Sequence, residues 1–252
     1  MDLSAHTEYR DYPVHLARLH WLVATIQAQR LPGRPVRVLD VGCGTGNITV
    51  PLGYLPDSEI LGIDLDEPNV RVTRQRNDRP NVRIELAYLS EIDVAPFDFI
   101  IFTEVLEHIP DYRAVLADLV ARMAPTAQIL VTIPNGWGPF EISQWPLYGL
   151  RKIGLNGLIR KVKDFVGKKE PYATNQEETP HVNFFTQRQL TQDCARFGLR
   201  VAQFEKAYVL APVLETYLPF VSLQQLAPFD NRLAQVLPRA LASGWYLRLV
   251  RG

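Results

Sequence analysis

A glycine-rich turn directly after a run of apolar residues constrains the fold of this chain more than any other feature. The apolar run is Val36–Val41, and residues 42–46 that follow it read Gly-Cys-Gly-Thr-Gly. Glycine at alternate positions lets the backbone bend sharply, and it lets a ligand approach where a Cβ would otherwise stand. The pattern predicts a buried strand, a ligand-binding turn and the start of a helix, as at the strand ends of open α/β sheets.

Two carboxylates beside this turn indicate what kind of ligand it holds. Asp40 precedes the turn, where a negative charge suits a ligand with a positive group better than a pyrophosphate. Asp64 ends the next apolar run, where an acid can accept two hydrogen bonds from a ribose diol. Dinucleotide folds need G-x-G-x-x-G, and Gly46 falls one residue early for that spacing, which disfavours a nicotinamide dehydrogenase. A tight turn without a ligand and a solvated Asp64 are the simpler alternatives.

Short apolar runs alternate with stretches of helical periodicity along most of the chain. Such alternation implies right-handed crossovers and a mostly parallel sheet. Strands are predicted at Val36–Val41, Glu59–Leu65, Asn81–Leu86, Phe97–Phe102, Gln128–Ile133, 199–209 and Gly244–Val250, and helices near 12–30, 46–54, 67–76, 111–123 and 186–197.

The same pattern divides the chain into four segments. An N-terminal helical segment covers residues 1–35, and a ligand-binding α/β core covers 36–136. The alternation stops there, so residues 137–180 are interpreted as a basic, apolar insertion or lid. Residues 181–252 complete the α/β core and add a C-terminal elaboration.

Composition excludes several classes of protein. The 252 residues carry 27 Lys+Arg and 27 Asp+Glu, and a net charge of zero disfavours a general nucleic-acid binder. Two cysteines without a CxxC pair exclude a disulfide scaffold and a cysteine-based zinc site. No apolar run reaches the roughly 18 residues of a membrane span, and the first residues lack a signal-peptide pattern. A soluble, cytoplasmic protein of open oligomeric state is expected.

The chain resembles a known family, the class I S-adenosylmethionine-dependent methyltransferases. Residues 40–46 look like their first motif, and Asp64 looks like their ribose-binding acid. Residues 97–110, Phe-Asp-Phe-Ile-Ile-Phe-Thr-Glu-Val-Leu-Glu-His-Ile-Pro, look like their fourth strand and the loop after it. The resemblance implies S-adenosylmethionine as cofactor and a Rossmann-like, mostly parallel seven-stranded sheet. Helices would cover both faces, the last strand would be antiparallel, and an insertion would follow the fifth strand.

The resemblance also implies a set of cofactor-binding residues. Many relatives place an acid after the third strand to bind the adenine amino group, whereas this chain reads Leu-Ala-Tyr-Leu at residues 86–89. Adenine recognition would then fall to the backbone near Tyr88 and Leu89, or to Glu91. The predicted cofactor-binding residues are Asp40, Gly42, Gly44, Gly46, Asp64, Leu65, Tyr88, Leu89 and Thr103.

A Glu-x-x-Glu-His cluster follows the fourth strand. Carboxylates with one or two imidazoles suit Mg²⁺ or a similar divalent cation. The metal ligands would be Glu104, Glu107, His108 and the later His181. This arrangement looks like that of the ubiquinone-biosynthesis O-methyltransferases and the small-RNA 2′-O-methyltransferases, which methylate one hydroxyl of a vicinal pair. A capped turn is one alternative, and a metal-free site with His108 or His181 as general base beside Glu107 is another.

Residues 147–169 form the basic part of the insertion. They hold seven basic residues against one acidic residue, a local net charge of +6, with apolar residues at roughly helical spacing. Three interpretations stay open: a lid helix with a solvated basic face, an interfacial helix touching anionic lipid, and a contact for a phosphate-bearing substrate or RNA.

These observations predict methyl transfer to a hydroxyl oxygen of a small-molecule, saccharide or lipid-linked acceptor. N- or C-methylation without a metal is the alternative within the class. A non-catalytic module that only binds S-adenosylmethionine is the alternative from another class, and the intact glycine turn, Asp64 and Glu-Glu-His cluster argue against it.

Overall fold

The computed structural model describes residues 2–7, 9, 12–152, 154, 181–217, 223 and 225–252. Its strands are β1 (Val36–Val41), β2 (Ser58–Asp64), β3 (Val82–Leu86), β4 (Phe99–Thr103), β5 (Gln128–Pro134), β6 (Leu199–Ala207) and β7 (Gly244–Arg251). They form one seven-stranded sheet with the order β3-β2-β1-β4-β5-β7-β6. The first five strands pair in parallel, and β7 pairs antiparallel with both β5 and β6.

Helices connect the strands, and three of them begin at a side-chain cap. Within the described residues they are α1 (Pro13–Gln29), α2 (Thr49–Leu52), α3 (Glu67–Arg76), α4 (Tyr112–Arg122), α5 (Pro139–Lys152), α6 (Gln187–Arg196), α7 (Ala211–Tyr217) and α8 (Leu226–Val236). Asp66, Asp111 and Thr186 each accept a hydrogen bond from a backbone amide in the first turn of α3, α4 and α6. These side chains satisfy amides that have no partner inside the helix.

Two hydrophobic clusters lie on opposite faces of the sheet. One face packs Leu39, Ile100 and Trp245 under helices that include α4 and α6, and the other packs Val38 and Ile101 under α1. Because the parallel strands are buried on both faces, they read as continuous apolar runs in the sequence. The predicted Rossmann-like fold, with its seven strands and antiparallel last strand, is confirmed.

The element bounds differ from the predicted ones by one or two residues at most strands, and more at one helix. The helix predicted near 46–54 is only α2, four residues long. Pro51 has no amide hydrogen to donate within a helix, and Gly53 closes the segment by donating to Val50. The division into four segments stays a prediction, and residues 155–180 of the predicted insertion lie outside the described residues.

The sheet order places the ligand-binding edge. The chain moves outward from β1 to β3 on one side and from β4 to β5 on the other, so the order reverses between β1 and β4. A crevice opens at such a reversal beyond the carboxyl ends of the strands. The glycine turn, Asp64 and the Glu-x-x-Glu-His residues all lie where strands end at this edge. No helix among the described residues has the length and apolar character needed to cross a membrane.

Candidate active site

The glycine turn after β1 is shaped by three residues with positive φ. Gly42, Gly44 and Gly46 have φ values of 71°, 53° and 81°. A Cβ on Gly42 would lie 2.7 Å from a methyl carbon of Val105, and one on Gly46 would meet Thr73, so close packing requires glycine at both positions. A Cβ on Gly44 would have no heavy atom within 4 Å. Gly44 therefore leaves its backbone open toward the crevice, where a ligand can approach it.

Asp64, at the end of β2, is held in place by backbone amides. Its Oδ2 accepts a hydrogen bond of 2.7 Å from the Gly44 amide, and its Oδ1 accepts one of 2.9 Å from the Asp66 amide. Such hydrogen bonds stabilise the ionised carboxylate. The carboxylate is thereby fixed beside the glycine turn, with lone pairs left for a ribose diol.

Two exposed apolar side chains extend the crevice from Asp64 toward β3. Leu65 is 60% exposed and Tyr88 is 61% exposed. Leu89 lies in the short 3₁₀ turn Leu89–Glu91 and packs against the core. The Glu91 carboxylate accepts a hydrogen bond of 2.8 Å from the Tyr88 amide, so it caps its own turn. Thr103 ends β4 opposite Thr132 of β5.

Asp40 lies beneath the glycine turn rather than on its surface. Its carboxyl group is fully buried, and one oxygen accepts a hydrogen bond of 2.5 Å from the Thr49 hydroxyl. The other oxygen has no hydrogen-bond partner among the described residues. Burial raises the pKa of Asp40 to about 7, because the charged form loses its hydration.

Three of the four predicted metal ligands come together after β4. One ligand atom each from Glu107, His108 and His181 lies within 4.8 Å of the others. The two imidazole rings meet edge to face, with centroids 4.8 Å apart. This Glu-His-His cluster (Glu107, His108, His181) is the one group in the described part of the chain with such a set of three potential ligands.

Backbone hydrogen bonds explain why a histidine so distant in sequence reaches this cluster. The Glu107 carbonyl accepts hydrogen bonds from the Val182 and Asn183 amides, at 2.9 and 3.1 Å. The Asn183 side chain donates to the carbonyls of Leu106 and Ile109, at 3.2 and 2.6 Å. The segment that begins at His181 is thereby fastened to the 3₁₀ turn that carries Glu107.

The Glu107 carboxyl group is fully buried without a hydrogen bond. Neither of its oxygens has a hydrogen-bond partner among the described residues, and the His108 Nε2 lies 4.0 Å from Oε1. Burial raises the pKa of Glu107 well above its usual value, and the charge of Glu104 raises it further. A buried carboxyl in this state favours either a proton or a cation beside it.

Glu104 lies outside the Glu-His-His cluster. Its backbone is in the left-handed region, with φ at 56°, and its carboxylate accepts a hydrogen bond of 3.0 Å from the Thr132 hydroxyl. The Arg18 guanidinium of α1 lies 3.2 Å from the same oxygen. Arg18 therefore balances the Glu104 charge, and the helix that carries it covers this end of the sheet.

The sequence reasoning missed two residues of this site, Arg18 and Glu141. Glu141 lies in the first turn of α5, is fully buried, and has its Oε1 2.8 Å from the His181 Nδ1. In the sequence, Glu141 is a single acid among apolar residues after β5. The basic residues that follow it indicated a charged insertion and gave no reason to single out this acid.

Comparison with known proteins identifies the family of this chain. A family model described as a methyltransferase domain matches residues 15–203. A ubiquinone biosynthesis O-methyltransferase of Rhodopseudomonas palustris (strain TIE-1) is 26% identical over 151 residues, which cover 59% of this chain and 56% of the relative. The chain thus spans little more than half the length of such curated relatives.

Solved structures share the fold at low sequence identity. The plantazolicin methyltransferase BpumL in complex with SAH superposes with a TM-score of 0.57 at 14% identity, covering 99% of this chain and 89% of that one. A TehB-like SAM-dependent methyltransferase from Corynebacterium glutamicum gives 0.51 at 14% identity, covering 91% and 86%. Because the family model spans well over half of the residues, the chain belongs to the family of methyltransferase domains, and the prediction of a class I S-adenosylmethionine-dependent methyltransferase is confirmed for family and fold.

Proposed function

We propose that this chain transfers the methyl group of S-adenosylmethionine to a hydroxyl oxygen of its acceptor. The observation that carries the proposal is the Glu-His-His cluster beside the glycine turn, at one edge of the sheet. Val105, two residues before Glu107, packs directly against Gly42. The turn and the cluster are therefore neighbours, and a methyl donor in the turn would face an acceptor at the cluster.

The cofactor pocket fits S-adenosylmethionine on the chemistry of the residues present. The open space at Gly44 is where a Cβ would obstruct a ligand, and the fixed Asp64 carboxylate suits a ribose diol. Leu65 and Tyr88 offer exposed apolar surface for an adenine ring. S-adenosylmethionine supplies a methyl group bound to a positively charged sulfur, which makes that methyl electrophilic.

The Glu-His-His cluster would activate the acceptor hydroxyl. A hydroxyl is a weak nucleophile until its proton is removed or its pKa is lowered. Glu107, His108 and His181 would orient the hydroxyl and hold its proton, and their closeness to the glycine turn would align the oxygen with the methyl group. Holding the two reacting groups together contributes a large share of such rate enhancements. The O-methyltransferase relatives support oxygen as the acceptor atom.

A divalent cation fits the same cluster. Glu107 brings a buried carboxylate without a hydrogen bond, and His108 and His181 bring imidazole nitrogens within 4.8 Å of it. Mg²⁺ or a similar cation held there supplies a positive charge that lowers the pKa of a nearby hydroxyl. The metal-free candidate, with His181 as general base, is favoured by the contact between His181 and Glu141, because base catalysis needs an oriented imidazole.

A screen with labelled S-adenosylmethionine tests the proposed reaction. Purified protein is incubated with the cofactor and pools of hydroxylated small molecules, saccharides and lipid-linked compounds, and the products are identified by mass spectrometry. We expect a methyl ether. A product methylated at nitrogen or carbon would overturn the oxygen acceptor, and tight S-adenosylhomocysteine binding without any product would support a binding module instead.

Chelation then separates the two ways of activating the hydroxyl. With an acceptor found, we expect chelator to abolish turnover and added Mg²⁺ or Mn²⁺ to restore it. Binding of S-adenosylhomocysteine should be unchanged, because the glycine turn and Asp64 would not use the ion. Full turnover in chelator would exclude a role for the cation and leave His181 as the general base.

The acceptor would enter beside an apolar surface at the start of α5. Trp137 is 57% exposed and Trp145 is 44% exposed, and their rings meet edge to face with centroids 5.5 Å apart. Tryptophan at a surface suits a boundary between apolar and wet surroundings. The basic residues from 147 to 169 follow in the chain, so an anionic membrane that carries a lipid-linked acceptor would complement both features.

Vesicle sedimentation tests this peripheral membrane contact. We expect binding to anionic vesicles, release at high salt, and no binding to neutral vesicles. Substitution of Lys161, Lys163, Lys168 and Lys169 by glutamine should remove the binding and leave S-adenosylhomocysteine affinity unchanged. If the protein sediments equally with both kinds of vesicle, or with neither kind, the contact with anionic lipid is excluded. Residues 147–169 would then serve as a lid.

A further inference from the structure

Glu141 contacts His181, one of the three residues of the Glu-His-His cluster. The Glu141 Oε1 is 2.8 Å from the His181 Nδ1, the distance of a direct hydrogen bond. Glu141 is fully buried, and His181 is partly buried. A hydrogen bond to a charged partner in such surroundings holds both side chains in one arrangement.

Glu141 lies near the N-terminal end of its helix. Glu141 occupies the first turn of α5, which begins at Pro139. Unpaired amides and the helix dipole place partial positive charge at that end, and it stabilises an acid there. An ionised carboxylate can only accept hydrogen bonds, so the proton between the two groups belongs to the His181 Nδ1.

The tautomer of His181 follows from that hydrogen bond. When Nδ1 of a neutral imidazole carries the proton, Nε2 carries a lone pair. The His181 ring meets the His108 ring edge to face and contributes one of the atoms of the Glu-His-His cluster. A lone pair on an imidazole nitrogen is what both a general base and a metal ligand require.

From these contacts we infer that Glu141 is a positioning residue, which fixes His181 in the Nδ1–H tautomer and leaves the lone pair on its Nε2. Glu141 does not itself touch the acceptor or the cofactor in this role. The effect of Glu141 on turnover rests on the proposed function, methyl transfer at this cluster. The tautomer of His181 is inferred from its hydrogen bond to Glu141 and does not rest on the proposed function.

Nitrogen NMR of histidine reads the tautomer without acceptor or cofactor. Protein labelled with ¹⁵N at histidine is recorded in chelator at about pH 8, above the usual histidine pKa of about 6.5. The protein has five histidines, and the spectrum of His181→Gln assigns the His181 signals by their loss. We expect a protonated Nδ1 and an unprotonated Nε2 for His181 in the unsubstituted protein. The Nε2–H tautomer there would overturn the inference.

Substitution of Glu141 tests the cause. We expect Glu141→Ala to move His181 toward the Nε2–H tautomer, and Glu141→Gln to move it less, because an amide oxygen still accepts a hydrogen bond. Asp118→Ala is the matched control, since it removes an exposed acid that pairs with Arg122 of α4. Its spectrum should match that of the unsubstituted protein. Unchanged His181 signals in both Glu141 variants would overturn the inference, whatever the proposed function turns out to be.

Turnover separates positioning from a purely structural role once an acceptor is known. We expect Glu141→Ala to lower kcat about tenfold to a hundredfold, the range for groups that orient a ligand or base. In a His181→Ala background the same substitution should cost little more, because its effect passes through His181. Equal losses in both backgrounds would show that Glu141 only supports the fold. A tautomer as expected without any methyl transfer would overturn the proposed function alone.

Discussion

Two carboxyl groups at the same edge of the sheet differ in whether their oxygens have hydrogen-bond donors. Asp64 ends β2, and both of its oxygens accept hydrogen bonds from backbone amides. Glu107 follows β4, is fully buried, and has no hydrogen bond to either oxygen within the described residues. The Asp64 carboxylate is thus satisfied and fixed by its neighbours, whereas the Glu107 carboxyl is buried without a donor among them.

The difference teaches how the two halves of the site divide their work. In the proposed function, the cofactor half would bind its ligand through groups that are already satisfied and fixed, so binding would cost little reorganisation. The acceptor half keeps a carboxyl with a raised pKa next to two imidazoles, which suits proton or cation chemistry. Substitutions at four residues test this division of work.

Glu107→Gln should have the largest effect, because it removes the buried carboxyl group that would exchange a proton or hold a cation. We expect turnover to fall about a hundredfold to ten-thousandfold, the usual range for a group that handles protons. Calorimetry should show unchanged S-adenosylhomocysteine affinity. Equal loss of turnover and of cofactor affinity would mean that the two halves are not separate.

The same variant should be more stable at high pH than the unsubstituted protein. The pKa of Glu107 is raised in the folded state, so the folded protein binds more protons than the unfolded one once pH exceeds about 4.3. Stability therefore falls as pH rises from there toward the folded pKa, and glutamine removes that loss. Urea titrations of both proteins at about pH 5 and pH 8 measure it.

Asp40→Asn tests a carboxyl of the cofactor half that resembles Glu107, because it too is buried and has a raised pKa. The pKa of Asp40 rises from 3.8 to about 7 on folding, equivalent to on the order of 4 kcal/mol lost between those pH values. We expect the unsubstituted protein to lose stability as pH rises from about 4 to 7, and Asp40→Asn to lose less. Urea titrations without cofactor check this, with the exposed Asp78→Asn as control. Equal pH dependence in both variants would contradict the buried, raised pKa.

Asp64→Ala sharpens the cofactor side of the comparison. Loss of hydrogen bonds to a charged group costs about 1.5–3 kcal/mol, so S-adenosylhomocysteine affinity should fall about tenfold to a hundredfold. Calorimetric titration measures the change, and Asp78→Ala removes a comparable exposed aspartate away from the turn. Unchanged affinity in a folded Asp64→Ala protein would place the ribose elsewhere.

Gly44→Ala should have the smallest effect and has an internal control. An alanine in the left-handed region costs about 1–2 kcal/mol of stability, and Gly33 also has a positive φ with open space around its Cβ position. We expect Gly44→Ala and Gly33→Ala to be destabilised alike in thermal unfolding. Only Gly44→Ala should weaken S-adenosylhomocysteine binding, because only its methyl group points into the crevice. Equal affinities would show that the ligand does not approach Gly44.

Much of the fold followed from local sequence. β1 has the predicted bounds, and β2 to β5 differ by one or two residues, because buried parallel strands read as continuous apolar runs. The cofactor half was accessible for the same reason. The glycine turn and Asp64 lie within 25 residues, and their roles depend on backbone geometry that glycine spacing encodes. Their assignment to cofactor binding stays a prediction.

The acceptor half was only partly accessible. The sequence indicated Glu107, His108 and His181, and the structure brings those three together. It also indicated Glu104, which instead pairs with Arg18 and Thr132. Adjacent residues on an irregular turn point in different directions, and sequence spacing does not give those directions.

By itself, then, the sequence determined the sheet, the glycine turn and the identity of the reactive side chains. Those depend on periodicity and on the conformational freedom of glycine, which act over a few residues. Only the tertiary structure decided which side chains meet. His181 lies beside Glu107 because the Asn183 side chain and backbone amides fasten the 181–183 segment to the turn after β4, and Glu141 of α5 contacts His181 there. Contacts between segments 40 to 80 residues apart depend on packing, and no local pattern encodes them.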